Sequence, residues 1–270
     1  MKKCCIFYVS DGTAITAETV GHSLISQFDD IVFNEIRLPF IDSTIKAKEA
    51  AEQIKASTGD YQPLVINTVV DLELRRIIHS GGGLKLDPFN RLLRNIEDTL
   101  NIKRSPVVGR AHGIVDSKAY TARMDATNYA LLHDDGISIN YQEADIILLG
   151  VSRSGKTPTC LYLALQYGVK AANYPLTEED LNKLKIPDHI LKHKEKVYGL
   201  TIDPFRLSQI RAERRAGTQY SNPRQCQREV SDAESMYLRN GIEFLSTTDT
   251  SIEEISGKVL LALKLNNRLH

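Results

Sequence analysis

Residues 150–157 read Gly-Val-Ser-Arg-Ser-Gly-Lys-Thr and follow directly on the run Asp-Ile-Ile-Leu-Leu at 145–149. The spacing G-x-x-x-x-G-K-[ST] behind a buried strand is that of a phosphate-binding loop. It constrains the fold because it needs an apolar strand before it and a helix after it. Gly150 and Gly155 let the backbone turn where a Cβ would clash, so that successive N–H groups face phosphate oxygens. Val151, Ser152, Arg153 and Ser154 complete the loop. Lys156, expected to be a flexible surface side chain, adds a point charge for the terminal phosphates, and the Thr157 hydroxyl is a magnesium ligand. The next helix turns its positive end to the same anion. Pro158 suits its first turn, where a proline loses no helical hydrogen bond. A chance glycine-rich turn would not need strand, loop and helix in this order.

The rest of the chain alternates strand and helix, the pattern of a layered α/β fold. Strands are expected at 4–9, 31–38 and 64–70, and helices at 15–28, 43–57, 71–78 and 88–100. In the first helix Val20, Leu24 and Phe28 recur on one face and predict its buried side. Gly81-Gly82-Gly83 reads as a loop. A less regular connection at 105–142 contains a helix near 120–132. Beyond it come strands at 145–149, 169–174, 197–202 and 242–245. Helices are expected at 158–167, 204–215 and 223–240, with a last one opened by the capping box Thr250-Ser-Ile-Glu253. The reading is therefore an N-terminal α/β layer domain, 1–104, followed by a three-layer α/β domain of kinase-like phosphate-loop type, 105–270, with a mostly parallel sheet.

Bulk properties exclude several classes. Lys+Arg and Asp+Glu both number 34, so the chain carries no net charge and nothing favours nucleic acid. No apolar run approaches the roughly 20 residues of a membrane span. The apolar stretch within 1–9 is short and lacks a small-residue cleavage site, so it reads as a core strand and not as a signal peptide. Cys4, Cys5, Cys160 and Cys226 suggest neither a disulfide framework nor a zinc site, which points to the reducing cytoplasm.

Other residues carry weaker signals. Ser10-Asp11-Gly12-Thr13 sits where the first strand meets the first helix, as a second anion site or as an ordinary N-cap by Ser10, Asp11 or Thr13. His133-Asp134-Asp135-Gly136 places two carboxylates before the loop strand. Such groups accept a proton from an attacking hydroxyl or hold magnesium, although a polar helix exit looks the same. Arg110-Ala-His112-Gly113 has a comparable loop composition. Asp203, at the end of the 197–202 strand, is either the magnesium-supporting acid or the cap of the next helix. Arg206, Arg211, Arg214 and Arg215, with Arg224 and Arg228, form either a lid over phosphates or a solvated basic face. On the first of these readings they act on phosphate or on a partner and not on the fold.

Five segments together resemble the bacterial kinase–pyrophosphorylase family: Ser10–Glu18, His133–Ser138, Gly150–Ala164, Ala171–Pro175 and Gly199–Pro204. Ser154 departs from the cysteine of close relatives, and Asn128 from an acidic residue. The resemblance implies phosphorylation of a target threonine with ADP as donor, which inactivates the target, and removal of that phosphate by inorganic phosphate with release of pyrophosphate. The branch it resembles acts on phosphoenolpyruvate synthase as protein substrate; a homodimer is a further option. It implies ADP at Gly150–Thr157, magnesium, and charge neutralisation by Lys156 and Arg153. Asp11, Asp134 and Asp135 remain alternatives for the proton acceptor. A small-molecule kinase and a nucleotide-sensing switch are the competing classes. The guanine-reading N-K-x-D of a GTPase is absent, since Asn182-Lys183-Leu184-Lys185 has the wrong fourth residue.

Overall fold

The computed structural model describes residues 2–57, 59–103, 117–134, 140–215 and 217–265. It divides into two compact units, residues 1–115 and 116–270, and each has its own sheet.

In the first unit β1 (Lys2–Val9), α1 (Ile15–Ile25), β2 (Ile31–Leu38), α2 (Thr44–Ala56), β3 (Leu64–Asn67), α3 (Leu72–His79), β4 (Leu84–Leu86) and α4 (Asn90–Leu100) follow one another. The strands lie in the order β2-β1-β3-β4, and all three pairings are parallel. β1 is buried on both faces, which is why it reads as an unbroken apolar run. Cys5, Phe7 and Val9 pack towards α2 and α3, while Ile6 and Tyr8 pack towards α1.

Two expectations need correction here. The buried face of α1 is not Val20, Leu24 and Phe28: Leu24 is 47% and Phe28 59% exposed, whereas Ala17 and Gly21 are buried. Small residues win because the helix lies close on the sheet. A Cβ on Gly21 would stand 2.2 Å from the Tyr8 ring. The second miss is β4, just after the glycine loop in a stretch to which the sequence assigned no element. Gly83, with φ 77°, turns the chain into this three-residue edge strand, too short and too exposed to show a pattern.

The second unit runs α5 (Ser117–Leu132), β5 (Ile146–Gly150), α6 (Lys156–Tyr167), β6 (Ala171–Pro175), α7 (Glu178–Lys183), α8 (Asp188–Leu191), β7 (Val197–Thr201), α9 (Pro204–Arg214), α10 (Pro223–Asn240), β8 (Phe244–Ser246) and α11 (Ile252–Ala262). The order is β6-β5-β7-β8, again with every pairing parallel. Ile146 and Leu148 pack with residues of α5, α6 and α11. Ile147 and Leu149 pack with residues of α7, α8 and α10. The sheet is thus covered on both faces, as a parallel sheet requires. The short helices α7 and α8 were not foreseen. α7 is held by a capping box in which Thr177 and Asp180 exchange hydrogen bonds. Among the described residues no helix is long and apolar enough to cross a membrane.

Candidate active site

The central strand β5 ends at Gly150 and α6 begins at Lys156, so the loop between them sits at the carboxyl edge of the sheet. Ligands of open α/β sheets bind at that edge, beside the point where the chain reverses its direction across the sheet. Here that point is β5, flanked by β6 on one side and β7 on the other. The two loop glycines serve different ends. A Cβ on Gly150 would lie 2.6 Å from Ser154 Oγ and 2.7 Å from the Leu200 carbonyl. Gly155 has room for a Cβ, but its φ of 85° is in the left-handed region that favours glycine. Gly155 is also the N-cap of α6 and offers no capping side chain, leaving the first N–H groups of the helix to an anion.

Lys156 is not the exposed, flexible side chain expected. It is 4% exposed, and its Nζ donates to the Val151 carbonyl at 2.8 Å, folding the cation across the loop. The Ser154 hydroxyl is fully buried and has no hydrogen-bond partner among the described residues. Arg153 holds φ 75°, a strained conformation for a bulky residue.

Thr157 Oγ1 donates to Asp134 Oδ1 at 2.9 Å. Asn173 Nδ2, from β6, donates to Asp134 Oδ1 at 2.5 Å and to Thr157 Oγ1 at 3.0 Å. Asp134 reaches this point because the residue before it is anchored. His133 stacks on Tyr129 with ring centroids 3.8 Å apart, its ring nitrogens meet the carbonyls of Tyr129 and Asn140, and its own carbonyl accepts from Asn173 N–H at 3.0 Å. The exit of α5 is thereby stitched to β6. Within α6, burial pushes the Cys160 thiol up, and the Asp134 charge pushes it in the same direction.

With this geometry in place, the whole chain can be compared with known proteins. The kinase/pyrophosphorylase family model matches residues 6–260. The chain belongs to that family. It is similar, at 53% identity over 266 residues covering 98% of this chain and 97% of the relative, to a protein of Xanthomonas campestris pv. campestris strain B100. A protein of Stenotrophomonas maltophilia strain R551-3 is 52% identical over 267 residues, 98% of each chain. Both relatives are named, provisionally, as phosphoenolpyruvate synthase regulatory proteins.

The remaining residues singled out from the sequence fall at several places. Asp203 is exposed; its Oδ1 caps α9 by accepting from Arg206 N–H at 2.8 Å, and its own N–H donates to Thr248 Oγ1 at 2.8 Å. Asp11 belongs to the first unit, where its carboxylate accepts from Val70 N–H at 2.7 Å and ties two loops together. None of Ser10, Asp11 and Thr13 caps α1: its N-cap is Ala14, at φ 65°, without a side-chain bond. Asp135, Arg110 and His112 lie outside the described residues.

The arginine cluster divides. Arg206, Arg214, Arg215, Arg224 and Arg228 are exposed, but Arg211 is 1% exposed and is part of the fold. Its guanidinium pairs with Glu229 at 2.7 Å, donates to the carbonyls of Ser152 and Tyr220, both at 3.1 Å, and lies over the Tyr220 ring. Tyr220 Oη in turn meets Ser152 Oγ at 3.0 Å. Arg211 thus braces the Gly150–Thr157 loop.

On the opposite side, Thr247 Oγ1 donates to the carbonyls of Ser154 and Thr201 at 3.3 and 3.2 Å. Tyr220 and Thr247 escaped the sequence reading because they lie 60 residues or more downstream of the loop and match no motif. Asn173 fell within a segment shared with the family, but its type alone names no task.

Proposed function

We propose that this chain regulates phosphoenolpyruvate synthase as a bifunctional kinase and phosphorylase. In one direction the β-phosphoryl group of ADP passes to a threonine hydroxyl of the synthase, giving phosphothreonine and AMP. In the other, inorganic phosphate attacks the phosphothreonine, giving threonine and pyrophosphate. The reading is supported by family membership, by the names of the relatives, and above all by the loop itself. Gly150–Thr157 connects a central parallel strand to a helix whose N-terminus has no side-chain cap, with the Lys156 ammonium inside it and a buried Ser154 hydroxyl that has no partner among the described residues.

Phosphoryl transfer is mainly a matter of positioning and charge neutralisation. The loop N–H groups would clamp the phosphates, and Lys156 would exchange the Val151 carbonyl for phosphate oxygen. Arg153, at the tip of the loop, would add a second cation. The residues fit magnesium as well: the Thr157 hydroxyl and a carboxylate 2.9 Å away are the hard oxygen donors it takes. When bound, the ion would neutralise charge on the phosphates. A loop built to hold the β-phosphate of ADP can also clamp inorganic phosphate, which is then a better-placed nucleophile than water. Asp11, Asp134 and Asp135 are the alternatives for the threonine proton acceptor. The competing reading as a small-molecule kinase loses part of its support, because Arg211 is buried and cannot serve in a lid.

The test uses phosphoenolpyruvate synthase and ADP labelled in the β-phosphate. Label should enter one threonine of the synthase, and Lys156→Ala should abolish both this transfer and the calorimetric heat of ADP binding while the far-ultraviolet dichroism is kept. The isolated labelled synthase should then release label as pyrophosphate only when phosphate is supplied. Free labelled phosphate released without added phosphate would reveal an ordinary phosphatase and defeat the proposal.

A further inference from the structure

We propose that Asp134, Thr157 and Asn173 make up the divalent-cation subsite of the nucleotide loop, with Asp134 as the acidic ligand and Asn173 as its positioning residue. The inference rests on the reading of Gly150–Thr157 as a nucleotide loop and deepens it.

Three polar groups from three separate elements converge here. Thr157 stands in the first turn of α6, Asp134 follows α5, and Asn173 is the middle residue of β6. The hydrogen-bond inventory indicates what they are set up to hold. A threonine hydroxyl has one proton and two lone pairs. Its proton goes to Asp134 Oδ1 and one lone pair accepts from Asn173 Nδ2. The second lone pair is the coordination position at the loop. Asn173 donates to both oxygens from one amide nitrogen and adds no charge, so it fixes the hydroxyl and the carboxylate without neutralising them. Metal-ligating side chains are typically oriented by such outer partners.

The geometry also decides between two acids. β6 and β7 flank β5 on opposite sides. Thr157 bonds to Asn173 of β6 and so faces the β6 flank, whereas Asp203 follows β7 and is engaged in capping α9. The acidic ligand therefore comes from the segment that follows α5, and not from Asp203, which the sequence left open as either magnesium-supporting acid or helix cap. An acid engaged with the ion is also removed from the list of proton acceptors.

Calorimetric titration of the full chain with ADP, with and without magnesium, tests this, alongside electron paramagnetic resonance of bound manganese in the presence of ADP. In the unsubstituted protein magnesium should tighten ADP binding. Asp134→Asn should abolish that tightening and the bound-manganese signal while keeping magnesium-free ADP binding. Asn173→Ala should raise the half-saturating magnesium concentration by roughly tenfold, with the effect recovered at high magnesium. Asp203→Asn should keep the magnesium effect.

The inference is overturned if Asp134→Asn responds to magnesium like the unsubstituted protein, if Asp203→Asn is the variant that loses the response, or if magnesium has no effect on the unsubstituted protein. Should Asp134→Asn fail to fold, Asp134→Glu replaces it, and an unchanged magnesium midpoint there counts against the assignment. If the unsubstituted protein binds no ADP at all, what fails is the nucleotide-loop reading beneath the proposal.

Discussion

At the scale of single residues, the side chains that shape the loop divide into those that would touch phosphate and those that hold the loop still. Arg211 belongs to the second group, despite standing in a run of arginines that looks like one basic face. A guanidinium almost wholly removed from water is tolerable only when most of its donors are taken up; Glu229, Ser152 and Tyr220 take those of its two terminal nitrogens, while its Nε–H has no partner among the described residues. Arg211→Ala would leave Glu229 without its partner and the loop without a brace. It should lower unfolding stability by about 3–5 kcal/mol, measured by urea denaturation. Arg214→Ala and Arg215→Ala, at exposed positions, should each change it by less than about 0.5 kcal/mol. Equal effects at all three positions would contradict the division drawn here.

At the scale of elements, capping and helix approach explain what the sequence disclosed and what it did not. The loop, its strand and its helix were legible because the motif dictates both backbone conformation and context. The strands β1, β5 and β7 were legible because burial on both faces makes them largely apolar, as in Cys4–Val9 of β1. The α1 face was misread because larger apolar residues suggest a core, whereas close packing on Tyr8 selects Ala17 and Gly21. The His133–Asp134 exit stayed open in the sequence between a proton acceptor, a magnesium ligand and a polar turn, because its position against Asn173 depends on a strand that lies 39 residues after Asp134 in the chain. Asp203 was ambiguous, since the same carboxylate suits a cap and a metal. Its hydrogen bond to Arg206 N–H makes it the cap of α9. Asp203→Ala should therefore cost about 1 kcal/mol of stability, read from thermal or urea unfolding. It should leave the magnesium dependence of ADP binding intact.

At the scale of the whole molecule, two sheets with separate hydrophobic clusters should give two unfolding events, since each unit buries its own core. A ligand that binds only one folded unit stabilises that unit alone. Differential scanning calorimetry should show two transitions. Magnesium-ADP at a hundred times its dissociation constant should raise only one of them, by about 2.7 kcal/mol of unfolding free energy. A single transition that moves as a whole would show that the units melt together.

The wholly parallel pairing of both sheets also bears on how the chain is made. With no hairpin in either sheet, no two strands can join until the crossover between them has emerged, and such distant pairings form slowly. The first sheet is complete in sequence by Leu86, well before the loop strand at Ile146 has been synthesised. At roughly 5–20 residues per second, the ribosome gives it some 3–12 s to assemble over the 60 residues from Leu86 to Ile146. The nascent N-terminal half can thus settle before the Gly150–Thr157 loop exists, so the two similar parallel sheets have little opportunity to exchange strands during synthesis. Refolding from denaturant, where both halves start together, removes that head start.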